Sequence, residues 1–155
     1  MIPPEIVVFL IAMSPIIELR GAIPIALKIY HLPLWSAYLF SVLGNLVPLI
    51  LIILFLDPVS RFFSEKSHLL KKFIDWIFIR VRRKSQTRIK NLGEDLAVIA
   101  LIATPIPFVG GWTGAILAFI FGMSFKRALP LVITGAFLAG AIVVILTLGI
   151  SSFLK

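Results

Sequence analysis

Ser14-Pro15-Ile16-Ile17-Glu18-Leu19-Arg20-Gly21-Ala22-Ile23-Pro24 decides how this chain is read. It lies inside an apolar run and carries two opposite charges, two prolines and a glycine. A charged residue at the centre of a membrane helix costs roughly 2.5–3.5 kcal/mol on insertion scales. A proline inside a helix removes a donor and clashes with the preceding turn, at about 3 kcal/mol. Such a segment persists at membrane depth only when it is packed in protein or lines a wet cavity. The function is therefore expected here.

The composition agrees. Of 155 residues, 60% are hydrophobic and 14% charged, with a mean hydropathy of +1.10. Too few charges are present to cover a soluble domain of this size. The expectation is an all-α polytopic membrane protein, a multi-pass protein of the cell membrane. The formal charge is +8, yet ten of the fifteen Lys and Arg fall between Arg61 and Lys90. That clustering concerns topology and anionic lipid headgroups rather than nucleic acid. Cysteine is absent, which excludes disulfides and thiolate chemistry. His31 and His68 have no partners at ligand spacing, so no metal and no cofactor is expected. The start, Met1-Ile2-Pro3-Pro4-Glu5, lacks the features of a cleaved signal peptide.

Ile6 to Met13 and Ile25 to Tyr30 are half-length apolar pieces around the opening motif, as in a re-entrant hairpin or a broken helix. Leu34 to Leu56 is long enough to cross, with Trp35 and Tyr38 as interfacial anchors. Asp57-Pro58 is expected to end that helix. Leu69 to Val81 reads as an amphipathic helix in the headgroup region, closed by Arg80-Val81-Arg82-Arg83-Lys84. Asn91-Leu92-Gly93 looks like a helix stop. Thr104-Pro105-Ile106-Pro107-Phe108-Val109-Gly110-Gly111-Trp112-Thr113-Gly114 forms a second irregular stretch. A half-helix from Ala115 to Met123 follows it, and then a span from Leu129 to Phe153.

The two irregular stretches align at an offset of 90: Ser14-Pro15 on Thr104-Pro105, Gly21 on Gly111, Pro24 on Gly114. Matched interrupted segments in two halves point to a transport site at the repeat interface. The expected organisation is a first repeat over 1–56, a basic connection over 57–94 and a second repeat over 95–155. If both breaks are re-entrant, each half crosses once and the repeats are inverted. If each broken segment crosses, the chain is a four-span bundle. Placing the basic connection and Lys126-Arg127 on one side favours the inverted form.

On these motifs the chain resembles the putative small multi-drug export protein family, which is distantly similar to the DedA superfamily. The resemblance covers nearly the whole chain. It implies two re-entrant segments facing each other, acidic and arginine residues within them, and a lipid-carrier or proton-coupled transport role.

Glu18 is the acidic residue placed at depth. Burial disfavours an ionised carboxyl, which makes Glu18 a candidate proton switch; the structural reading is a Glu18–Arg20 pair that shapes the loop. Arg20 either grips a phosphate or carboxylate or caps loop carbonyls. Gly110, Gly111 and Gly114 offer exposed N–H groups to an anion, or simply permit a tight turn. Gly21, Pro24, Pro105 and Pro107 shape the two breaks. Asn45 lies mid-span, where a packing role is the usual one. Trp112 either lines a path or packs. The small residues Gly135, Ala136, Ala139 and Gly140 suit close helix packing and make a homodimer seam the expectation.

The expected function is a small secondary transporter, proton-coupled through Glu18, for a small or lipid-linked and rather anionic substrate. Cationic multidrug export is the alternative within that class, and a non-transporting scaffold acting through the basic surface is the alternative outside it. No nucleophile–base pair is visible at depth, so an enzyme is not expected.

Overall fold

The computed structural model describes residues 2–66, 88–106 and 110–153. Among these the secondary structure is helical throughout, in six helices: α1 (Pro4–Ala12), α2 (Glu18–Lys28), α3 (Leu34–Lys66), α4 (Arg88–Ala103), α5 (Gly111–Ile120) and α6 (Phe125–Phe153). The amphipathic segment expected over Leu69 to Val81 lies outside the described residues, as does Pro107.

Among the described residues, two helices are long and apolar enough to cross a membrane, over Leu34–Phe55 and Phe125–Ile150. At 1.5 Å per residue these reach about 33 and 39 Å, against roughly 30 Å of hydrocarbon. Their outer faces are apolar. Trp35, Leu51, Leu54 and Phe55 on α3 are exposed, as are Leu138, Ile145, Leu148 and Ile150 on α6. Soluble monomers rarely expose so much contiguous apolar surface.

The other helices are short. Pro4 starts α1 at a position where its missing N–H costs nothing. Pro15 stops it, because a proline cannot donate back to Ile11; the Ile11 carbonyl instead takes the Ser14 N–H at 3.1 Å. α1 and α2 then pack on each other, with Val8, Ala12, Ala22 and Ala26 in one buried cluster. The opening motif is thus not an irregular loop. The break is confined to 13–17, and Glu18 begins a helix that carries Pro24 inside it.

Each helix contact in one half has a counterpart in the other. α1 packs on α2 and α3 as α4 packs on α5 and α6; α2 meets α3 as α5 meets α6. Between halves, α3 meets α6, α3 meets α5, and α2 meets α6. Exchanging the halves maps this pattern onto itself. Glycines mark the equivalence. Gly44 on α3 lies against Phe9 and Ala12 of α1, and Gly135 on α6 lies against Ile102 of α4. The long helices run antiparallel: Leu34 and Trp35 share a groove with Val144 and Ile145, whereas Leu49 and Ile53 share a core with Ala128 and Val132.

Four boundary expectations are corrected. α3 continues past Asp57-Pro58 to Lys66. α4 runs through Asn91-Leu92-Gly93 without stopping. There the Arg127 side chain on α6 binds Asp95 at 2.7 Å and faces Glu94 at 3.7 Å, so tertiary contact outweighs the glycine's helix penalty of about 1 kcal/mol. α5 begins at Gly111 rather than Ala115, and α6 at Phe125 rather than Leu129. The small residues of α6 are spent within the chain. Gly135 faces Ile102, Gly140 faces Tyr38 and Val42, and Ala139 is buried with Leu19 and Ile23. These three residues thus have packing partners within the chain.

Candidate functional site

The second break exposes the ends of two helices. α4 stops before Pro105, leaving terminal carbonyls without helical donors. α5 starts at Gly111 with unpaired N–H groups. Thr113 caps part of this start: the Gly110 N–H donates to the Thr113 hydroxyl at 2.7 Å, and that hydroxyl donates back to the Gly110 carbonyl at 3.0 Å. The remaining polar ends are met from the other half of the chain.

Arg20 reaches across. Its guanidinium donates to the carbonyls of Thr104 and Ile106 and, at 3.5 Å, of Ile102. A cation at the carbonyl end of a helix suits both its hydrogen bonding and its dipole. Glu18 does the opposite job. Its carboxylate faces the backbone N–H groups of Gly111 and Trp112 at the start of α5. An anion at that end is favoured by the same dipole. Two charges on α2 thus dress both ends of the break between α4 and α5. They also pair with each other at 3.7 Å, with side chains 9% (Glu18) and 16% (Arg20) exposed.

Residues two apart do not face each other on a regular helix. They meet here because Glu18 has a φ of 50°, in the left-handed region. For a non-glycine residue this costs of order 1–3 kcal/mol, and such strain gathers at functional sites. Gly110 supplies the room: a Cβ there would collide with the Arg20 guanidinium.

The site is deep. Asn45 is near the midpoint of the span Leu34–Phe55, is 1% exposed, and lies with Leu49 against Gly111. Leu19 clusters with Ala139, near the midpoint of the span Phe125–Ile150.

The expected site residues divide accordingly. Glu18, Arg20, Gly110, Gly111, Trp112 and Asn45 come together. Gly114 is buried against Ile102 and serves packing. Gly21 contacts the Ile17 side chain, Pro24 is half-buried inside α2, and Pro105 is exposed at the break. The expectation that Arg20 and the loop N–H groups grip an anion meets a difficulty: Arg20 Nη1 and Nη2 are already turned to carbonyls, and the N–H groups of Gly111 and Trp112 to Glu18. Ser41 escaped the sequence reading. It is fully buried one helical turn before Asn45, and a second polar residue four positions away in an apolar span is a signal that was there to find. Among the described residues no group of acidic or histidine side chains suits a metal ion.

Comparison with curated proteins and with solved structures returned no match. The model of the putative small multi-drug export protein family matches residues 18–142, from Glu18 itself to within α6. The match takes in α2, the whole of α3, the second break and the first part of α6, and the chain belongs to that family.

Proposed function

We propose that this chain is a small secondary exporter of the cell membrane, with Glu18 as the group that exchanges a proton for the exported solute. Each half would contribute one re-entrant hairpin, α1–α2 or α4–α5, and one crossing helix, α3 or α6, with the halves inverted. Three observations support this topology. α1, α2 and α5 have 9, 11 and 10 residues, about half the length needed to cross. Their packing side by side with a partner helix suits hairpins. A four-span bundle would make α3 and α6 parallel, whereas they are antiparallel.

The observation that carries the functional reading is the buried Glu18–Arg20 pair, held at mid-depth by groups from both halves. An ionisable pair at this depth is costly and marks a transport route in membrane proteins. Arg20 is spent on carbonyls, so Glu18 is the member with an exchangeable proton. The favoured solute is therefore cationic or apolar rather than anionic, in line with the family description. On this reading the chain is a transporter, not an enzyme, and needs no cofactor.

The test uses proteoliposomes holding the full chain. A gradient of a cationic dye such as ethidium should drive counter-movement of protons, and Glu18→Gln should abolish it. Dye-driven proton flux unchanged by Glu18→Gln would remove Glu18 from the mechanism.

A further inference from the structure

Four buried side-chain atoms have no hydrogen-bond partner among the described residues: Ser41 Oγ, Asn45 Oδ1, Arg20 Nε and Trp112 Nε1. They are not scattered. Asn45 lies against Gly111; Glu18 faces the N–H groups of Gly111 and Trp112; Arg20 pairs with Glu18. Ser41 is one turn from Asn45 on α3, between the face that meets α1 at Gly44 and the face that meets α5 at Asn45 and Leu49.

Ser41 has an ordinary alternative that it does not use. A hydroxyl within a helix usually bonds the carbonyl four residues back. Three threonines in this chain do so: Thr104 to Ala100, Thr134 to Pro130 and Thr147 to Val143. The Ser41 hydroxyl is 0% exposed and takes no such bond. Orphaned polar groups are expensive in a protein interior and more so within lipid.

The chemistry of the four atoms says what fits them. Arg20 Nε and Trp112 Nε1 are donors, Asn45 Oδ1 is an acceptor, and the serine hydroxyl is both. With Glu18 ionised and paired to Arg20 the resting site carries no net charge, so these four atoms call for an uncharged ligand distinct from the exported solute. A neutral ligand that both donates and accepts is water. Buried waters typically make about three hydrogen bonds to polar groups that would otherwise lack partners.

We propose that Ser41 and Asn45 hold a short chain of water through which Glu18 exchanges its proton. The proton passes from the nearest water to the Glu18 carboxylate: an O–H bond forms on Glu18, one breaks on the water, and the next water along replaces that proton. Ser41 and Asn45 are positioning residues. This inference rests on Glu18 being the exchanging group, and it adds the route.

The experiment follows the Glu18 carboxyl band by infrared spectroscopy after a jump from H2O to D2O, on the full chain in detergent. The band is assigned by its loss in Glu18→Gln. Asn45→Leu replaces the amide with an apolar side chain of similar size and should slow deuteration about a hundredfold, the low end of what a positioned proton-transfer group contributes. Ser41→Ala should slow it less. Asn45→Ser, which leaves room for a further water, should keep the rate near that of the unsubstituted chain. A packing role predicts the reverse, with Asn45→Leu tolerated and Asn45→Ser damaging. Equal deuteration rates in Asn45→Leu and the unsubstituted chain overturn the route while leaving the dye-flux result for Glu18 standing. A Glu18 carboxyl with no exchangeable proton at any pH where the protein stays folded overturns both.

Discussion

The two breaks in this molecule do the same architectural job with opposite chemistry. The first, over 13–17, is followed at once by Glu18 and Arg20. The second, over 104–110, carries no charge and is rich in proline and glycine. The first half supplies charged side chains; the second supplies backbone ends and the space to receive them. The long helices repeat the contrast. Gly44 and Gly135 are 91 positions apart and do the same packing job. At that offset Ser41 and Asn45 on α3 correspond to Val132 and Ala136 on α6. The charged side chains of the site, with Ser41 and Asn45, come from the first half, and the second half closes over them. A symmetric pair of charged breaks would place four charges at one depth, where like charges meet. The asymmetric arrangement needs only one neutral pair.

This contrast is most exposed to Arg20→Met. That change leaves Glu18 buried without its counter-charge and the α4 carbonyls without donors. Removing one partner of a buried pair typically costs about 3–5 kcal/mol. We expect a loss of that order, read as thermal unfolding in detergent. A loss below about 1 kcal/mol, the scale of an exposed ion pair, would place the pair at the water boundary instead.

The paired glycines test the likeness beneath the contrast. At Gly44 an added methyl meets the Phe9 backbone carbonyl, which cannot step aside. At Gly135 it meets the Ile102 Cβ at 2.8 Å, a milder overlap but with an atom held close to the α4 backbone. Overpacking costs typically 1–3 kcal/mol. Gly44→Ala should therefore be the costlier, at or above the top of about that range, and Gly135→Ala should fall lower within it, measured by the same unfolding assay. The opposite order would mean that the two crossings are not equivalent.

Much of this was legible in the residues. Proline, glycine and charge inside apolar runs located both breaks, because each is costly in a membrane helix. The lengths of the apolar runs identified α3 and α6 as the helices long enough to cross a membrane. What escaped depends on which surface meets which. The motif from Glu18 to Pro24 looked like a loop, yet only Pro15 breaks the chain. Pro24 is carried within α2, while Arg20 and Glu18 find their partners on α4 and α5, far away in sequence. Gly93 looked like a stop because the Arg127 contacts that hold α4 together lie more than thirty residues away. The partners of the small residues on α6 within the chain were not legible, because nothing in their spacing points to Tyr38 and Val42 on α3 or Ile102 on α4. The roles open to Arg20 could not be separated until the carbonyls of Thr104 and Ile106 were placed beside it.

The central claim is that the charges of one half sit inside the break of the other, and a double-mutant cycle between Arg20→Met and Gly110→Ala tests it most directly. Alone, Gly110→Ala must push the guanidinium off the α4 carbonyls and should destabilise the chain by about 1–3 kcal/mol. In the Arg20→Met background the colliding group is gone, so the cost of Gly110→Ala should nearly disappear. If the two substitutions instead add to within about 0.5 kcal/mol, Arg20 is not lodged against the second break, and the shared interior proposed for transport has no foundation.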